Sequence, residues 1–152
     1  MALLFSRSLH TIVPMKLSEK GRFAPPPKLP RYSQQVSETL ATWPDVLART
    51  HWELGDERRV DGADFYVGEE ELGHLHLYDE AHVAMHPKLA AAVIAAGLAQ
   101  RSPWTAEVVE HDVAGPADVK QVLWLFELSY DRLRGAKVTE LLARIRGGAA
   151  RF

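Results

Sequence analysis

Gly73-His74-Leu75-His76-Leu77, in the middle of a chain of 152 residues, decides how the rest is read. Successive side chains on a strand point to opposite faces, so Gly73, Leu75 and Leu77 share one side while Leu72, His74, His76 and Tyr78 share the other. One face is apolar and the other carries imidazoles. Upstream, Ala63-Asp64-Phe65-Tyr66-Val67 alternates in the same way, and Gly68-Glu69-Glu70 reads as a three-residue hairpin loop. Pairing these runs sets Asp64 opposite His74. Downstream, Val83 and Met85 are the apolar partners for Leu75 and Leu77, reached through a connection of Asp79, Glu80 and Ala81. That register sets His86 opposite His74, with His82 and Ala84 on the same face; a slip of one residue would turn the whole set over. The expected row is Asp64, His74 and His86 across three strands, with His76 two residues along the middle one.

Outward from this hairpin the chain alternates between helical and extended patterns. Ser33, Val36, Leu40 and Trp43 predict a helix before Pro44, and Thr50 to Leu54 a short strand with His51 and Trp52 on opposite faces. Residues 55–62 read as a charged, turn-rich link. Pro87 fits the first position of a helix whose buried stripe is Leu89, Val93 and Ile94 and which ends near Gly97. Trp104 to His111 is a strand candidate. Gly115-Pro116 opens the longest helix, with the stripe Val119, Val122, Leu123, Phe126, Tyr130 and Leu133, and Gly135 closes it. Val138, Leu141, Leu142 and Ile145 outline a last, basic helix. Short connections imply antiparallel pairing. The expected fold is α+β: two layers, a mainly antiparallel sheet of four to five strands with helices on one face. The imidazole face is then open, or closed by another copy of the chain.

A chain of this length buries roughly 70% of its unfolded surface and needs no staples. It has no cysteine, which rules out disulfides, thiolate metal sites and a cysteine nucleophile and fits a reducing compartment. No apolar run is long enough to span a bilayer. A cytoplasmic location is expected, with organellar targeting by the N-terminal arm left open.

The net charge of -2 conceals a layout. Residues 1–37 carry six basic groups (Arg7, Lys16, Lys20, Arg22, Lys28, Arg31) against Glu19 alone, and residues 132–152 carry six more against Glu140 alone. The middle is strongly acidic. An acidic body repels phosphates, which argues against nucleic acid as a partner. Residues 1–30 hold Pro14, Pro25, Pro26, Pro27 and Pro30 without helix or strand periodicity, so they read as an extended basic arm that stays out of the core. Residues 31–135 form the α+β domain, and 136–152 the basic C-terminal helix and tail. The arm also carries more large apolar residues than a solubilising tail needs.

The string Glu71-Leu72-Gly73-His74-Leu75-His76, followed by a short strand, an alanine-rich helix ending near Gly97 and a helix containing Leu128-Ser129-Tyr130, resembles the small bacterial and fungal luciferase-domain proteins over roughly residues 52–134. Members of that family carry a histidine pair and a Ser-Gly-Trp segment after the first helix, where this chain has Arg101-Ser102-Pro103-Trp104.

Two functional expectations follow. The first is a protein-interaction module, an accessory subunit that docks on a larger assembly through Phe5, Arg7, Lys16, Arg22, Pro25, Pro26 and Pro27, with no cofactor. The alternative is a metal- or small-molecule-binding enzyme using the imidazole face, in which His74, His76, His86 and Asp64 ligate Zn or Fe. No glycine-rich phosphate loop follows a strand and no nucleophile elbow is present, so whether the chain is an enzyme stays open. Glu69, Glu70 and Glu71 read as a solvated loop, and the four tryptophans as core residues.

Overall fold

Among the described residues, six antiparallel strands form one sheet: the first four lie side by side in chain order, the sixth pairs with the fourth, and the fifth lies at the edge beside the sixth. A computed structural model describes residues 14–53 and 56–148. After a 3-10 turn at Leu17–Glu19, the elements are α1 (Arg31–Ala41), β1 (Val46–Glu53), β2 (Asp56–Val67), β3 (Glu70–His76), β4 (Glu80–Ala84), α2 (Pro87–Ala95), β5 (Gln100–Arg101), β6 (Val108–Asp112), α3 (Pro116–Leu133) and α4 (Val138–Gly148). The α+β class holds, with six strands in place of four or five. The additions are a two-residue edge strand, β5, and longer versions of β1 and β2: the charged link at 56–62 is strand.

All the helices lie against the face bearing Ala63, Phe65, Leu75, Val83 and Val109. Val36 and Leu40 of α1, Leu89 and Val93 of α2, Val122, Leu125 and Phe126 of α3, and Leu141 and Ile145 of α4 complete this core. Gly73 sets how closely α3 approaches. At φ 149 it occupies a region that side chains rarely tolerate, and a Cβ there would stand 2.3 Å from the His82 carbonyl oxygen and 2.8 Å from the Phe126 ring.

The register decides the other face. Asp64 pairs with His74, as expected. The loop between β2 and β3 has two residues, not three, and the ladder carries a bulge: Phe65 pairs with Gly73 but Tyr66 pairs with Glu71, leaving Leu72 as the extra residue. The bulge changes the parity of β3, so Leu72 enters the apolar core and Glu71 joins His74. Simple alternation gives the opposite assignment for both. Between β3 and β4 the chain turns at Asp79, with φ 61, and His74 pairs with His82 where His86 was expected. This register is four residues from the expected one. An even slip keeps every face and changes every partner.

Residues 14–30 do not project. Leu17 N donates to Glu69 O at 3.0 Å, and Thr50 N of the edge strand β1 donates to Ala24 O at 2.8 Å. Arg49, itself buried, donates to the carbonyls of Lys20, Gly21 and Arg22, and Leu29 enters the core. The expectation that the whole arm stays outside the core therefore fails for this segment. A free strand edge and a buried guanidinium both demand partners, and the strap supplies carbonyls to each.

A candidate metal centre on the polar face of the sheet

Arg49, Asp64, His74, His82 and Glu110 form one cross-strand row over β1, β2, β3, β4 and β6. A second row runs from His51 through Gly62 to His76. Gly62 has no side chain to separate its two neighbours, and a Cβ on it would meet Leu75 O at 1.8 Å. The imidazoles of His51 and His76 meet across the gap, their centroids 5.4 Å apart, and His51 stacks on His74 at 4.1 Å with 9° between planes. His74 and His76 stand edge to face at 4.7 Å.

The face grades from a closed end to an open one. At the closed end Lys20 Nζ, brought in by the strap, lies 2.8 Å from Glu71 Oε1 and 3.7 Å from Asp64 Oδ2. Tyr66 donates its hydroxyl to Asp64 at 3.2 Å. Burial works against the charge on Lys20, but Glu71 and Asp64 outweigh it and raise its pKa. Burial also raises Glu71, against the pull of Lys20, and raises Tyr66, so its phenol stays protonated. At the open end Asp61, Glu80, His82 and Glu110 are half-buried and Tyr78, 62% exposed, stacks on His76 at 4.7 Å. Burial, with Glu80 beside it, pushes the Tyr78 phenol up to about 12.

The three imidazoles between these ends are poorly satisfied by one another. His76 Nδ1 donates to Asp61 Oδ2 at 3.0 Å, with Nε2 on the other side of the ring. That nitrogen points at His74 Nε2, 3.1 Å away. His74 Nδ1 has no hydrogen-bond partner, its nearest carboxylate oxygen being Glu71 Oε1 at 3.7 Å. His51 Nδ1 and Asp64 Oδ1 approach to 2.7 Å, yet the N–H direction misses the oxygen and neither atom gains a hydrogen bond. Burial, then the neighbouring His51, His76 and His82, hold the His74 pKa well below its ordinary value. The His74 imidazole is neutral at pH 7. Asp61 is held low, its burial outweighed by the bond to His76 and the surrounding imidazoles.

Among the described residues, ligand-competent atoms converge in three sets within 4.8 Å: His51, His74 and His76; Asp64, Glu71 and His74; and Glu80, His82 and Glu110. Of the four ligands anticipated from sequence, His74 joins His76 in the first set and Asp64 in the second. His86 joins none of the sets. It caps α2, its Nδ1 accepting from Lys88 N at 3.1 Å. Six contributors lie outside the sequence reading of the site: His51, on a strand read without its pairing; Asp61, in residues read as a turn-rich link; Glu71, carried over by the bulge; Lys20, in a segment read as a free arm; Glu80, read as a connection; and Glu110, on the far strand β6. For His51 a signal existed, since Arg49 and His51 share one side of the strand while Ala48, Thr50 and Trp52 share the other.

Elsewhere the anticipated contact residues serve the chain itself. Lys16 pairs with Glu70, and Arg22 lies over the Trp52 ring at 4.3 Å. Pro25 accepts from Thr50 Oγ1 at 2.6 Å, while Pro25 and Pro26 stay exposed and Pro27 is half-buried. Phe5 and Arg7 lie outside the described residues. Glu71 is buried, contrary to the solvated-loop reading, and Trp104 is 60% exposed rather than core.

Fold and site together define a small α+β protein with helices on one sheet face and a buried imidazole-carboxylate cluster on the other. Residues 69–129 match the family model described as Luciferase domain, in agreement with the resemblance read from Glu71 to His76. The match spans β3, β4, α2, β5, β6 and most of α3. No curated protein and no solved structure matches the chain. Among the described residues no helix is long and apolar enough to cross a membrane.

Proposed function

We propose that the polar sheet face is a metal centre in which His51, His74 and His76 bind one divalent transition-metal ion of the zinc class. The observation that carries this reading is the pair of Nε2 atoms of His74 and His76, 3.1 Å apart, with His76 Nδ1 held by Asp61. Zinc–nitrogen bonds of about 2.0–2.1 Å in tetrahedral geometry separate ligand nitrogens by roughly 3.3 Å. A carboxylate behind a ligating imidazole fixes its tautomer and raises its basicity. Neutral histidine is the form that binds metal, and burial keeps His74 in that form. Three protein ligands would leave a bound zinc-class ion one position for water or a small molecule.

The test is elemental analysis of the purified chain and of the stripped chain offered Zn or Fe. Wild type is expected to hold at least one equivalent; the His74→Ala, His76→Ala double variant is expected to lose it while keeping its circular dichroism. A wild type that is metal-free, and stays so when loaded, overturns the proposal.

A docking role is supported by a different observation. Phe23 is 59% exposed on the outer side of the strap, beside exposed Arg22, Pro25 and Pro26. In that reading the strap is both a structural element and a contact surface for a larger assembly. Native mass spectrometry of the chain taken from its own cells, with and without Phe23→Ser, checks it: an assembly that Phe23→Ser disperses supports docking, and a lone chain in both samples removes it.

A further inference from the structure

The open end of the same face has a ligand set that the first ion would not use. His82 Nε2 lies 2.5 Å from Glu80 Oε1 and 3.5 Å from Glu110 Oε1. A single ring nitrogen can donate to one carboxylate at a time, so the other faces it uncompensated. Among the described residues neither glutamate pairs with a lysine or arginine. All three side chains are half-buried, with 17%, 30% and 16% of the His82, Glu80 and Glu110 side chains exposed. Water can reach the group but does not surround it. Two carboxylates drawn together in such a place repel each other unless a cation lies between them.

We infer that Glu80, His82 and Glu110 bind a second divalent cation beside the one held by His51, His74 and His76, so that the face carries a two-cation centre. This rests on the metal-centre reading above and extends it. The sheet register places the two sets side by side: His82 pairs with His74 on one side and with Glu110 on the other. The His82 ring centroid lies 4.5 Å from that of His76 and 4.9 Å from that of His74. The ligand types differ in a way that assigns the ions. Three imidazoles suit Zn, whereas two carboxylate oxygens with one imidazole suit a harder ion such as Mn or Fe(II). Two neighbouring cations at a solvent-facing edge form a clamp for an oxyanion, so the class of small molecule this centre would take is a phosphate or carboxylate.

The experiment uses the full chain stripped with chelator, titrated with Zn alone and with Mn alone, and read by native mass spectrometry and by the Mn electron paramagnetic resonance signal. Two cations per wild-type chain are expected. Glu110→Gln, and separately the Glu80→Gln, Glu110→Gln pair, are expected to weaken Mn binding at least about tenfold and leave one Zn bound. The His74→Ala, His76→Ala variant is expected to lose Zn and keep Mn. A single cation in wild type and in Glu110→Gln alike overturns the second site while leaving the first; no cation in any sample overturns both. Glu110→Gln removes only a charge at a half-exposed position, and its thermal unfolding checks that the fold persists.

Discussion

His74 and Leu75 are neighbours on β3, 7% and 0% exposed, yet they belong to regions built on opposite principles. Leu75 and the residues beside it are covered by four helices whose stripes are aliphatic and aromatic. The core on that side is built from apolar side chains, and its stability comes from area removed from water and from close packing. On the His74 side, burial is achieved largely with groups that resist it: five titratable side chains, Asp64, Glu71, His51, His74 and His76, are each less than one-tenth exposed. Lys20 balances part of that charge, and several polar atoms remain without partners. One face of the sheet holds the fold together, and the other is maintained against a cost. The proposed metal centre would give such atoms, His74 Nδ1 and His51 Nδ1 among them, a reason to be buried.

The comparison can be broken by mutation. Phe126→Ala, on the helix side, is expected to cost about 4 kcal/mol because it leaves a cavity under Gly73 and beside Phe65. Chemical denaturation measures it, and a loss below about 1 kcal/mol would mean that the helix layer is not what stabilises the sheet. Lys20→Met comes next, at about 3 kcal/mol, because it strands Glu71 and Asp64 in a buried place without their cation. An unchanged midpoint would show that the strap leaves the closed end in solution.

The pH dependence is smaller and has a definite sign. The His74 pKa is depressed in the folded chain, so below its ordinary value near 6.5 the unfolded chain takes up a proton that the folded chain refuses. Stability therefore falls as pH drops through 6.5, by up to about 1.4 kcal/mol per unit from this group. Asp61, also held low, adds to the loss in the same direction at lower pH. Melting temperatures of the stripped chain from pH 7 to 5 test this, and His74→Leu should flatten the upper part of the profile. The same variant sharpens the contrast between faces: at pH 7 without metal it should shift stability by no more than about 1 kcal/mol, since it gives up one contact to His76 Nε2 and removes a buried Nδ1 that has no partner. A large loss would make His74 a structural residue. Smallest of all, Lys16→Ala should leave the melting temperature unchanged, since both Lys16 and its partner Glu70 are about half exposed.

Much of the fold was legible because it depends on local periodicity. The alternation in Ala63 to Val67 and Gly73 to His76 gave the hairpin, the Asp64–His74 pair and the two contrasting faces, and the helical stripes named the residues that now cover Leu75. Boundaries were less legible. Residues 56–62 are charged, yet they pair along β1 as strand, since backbone pairing can continue through exposed side chains. The site was half legible: His74, His76 and Asp64 declare themselves by position on one strand pair, but His86 was placed by a register that only the turn at Asp79 decides.

By itself, then, the amino-acid sequence determined which residues are apolar or ionisable and, within a run of strand free of bulges, which of them share a side, because side-chain alternation is a property of two or three consecutive residues. Only the tertiary structure decided which strands meet, that a bulge at Leu72 carries Glu71 to the polar face, and that Lys20 and His51 arrive beside His74 from a strap and an edge strand. Those outcomes depend on turn geometry, bulges and the partners that buried charges require. They are set by contacts between residues far apart in the chain, which no local pattern encodes.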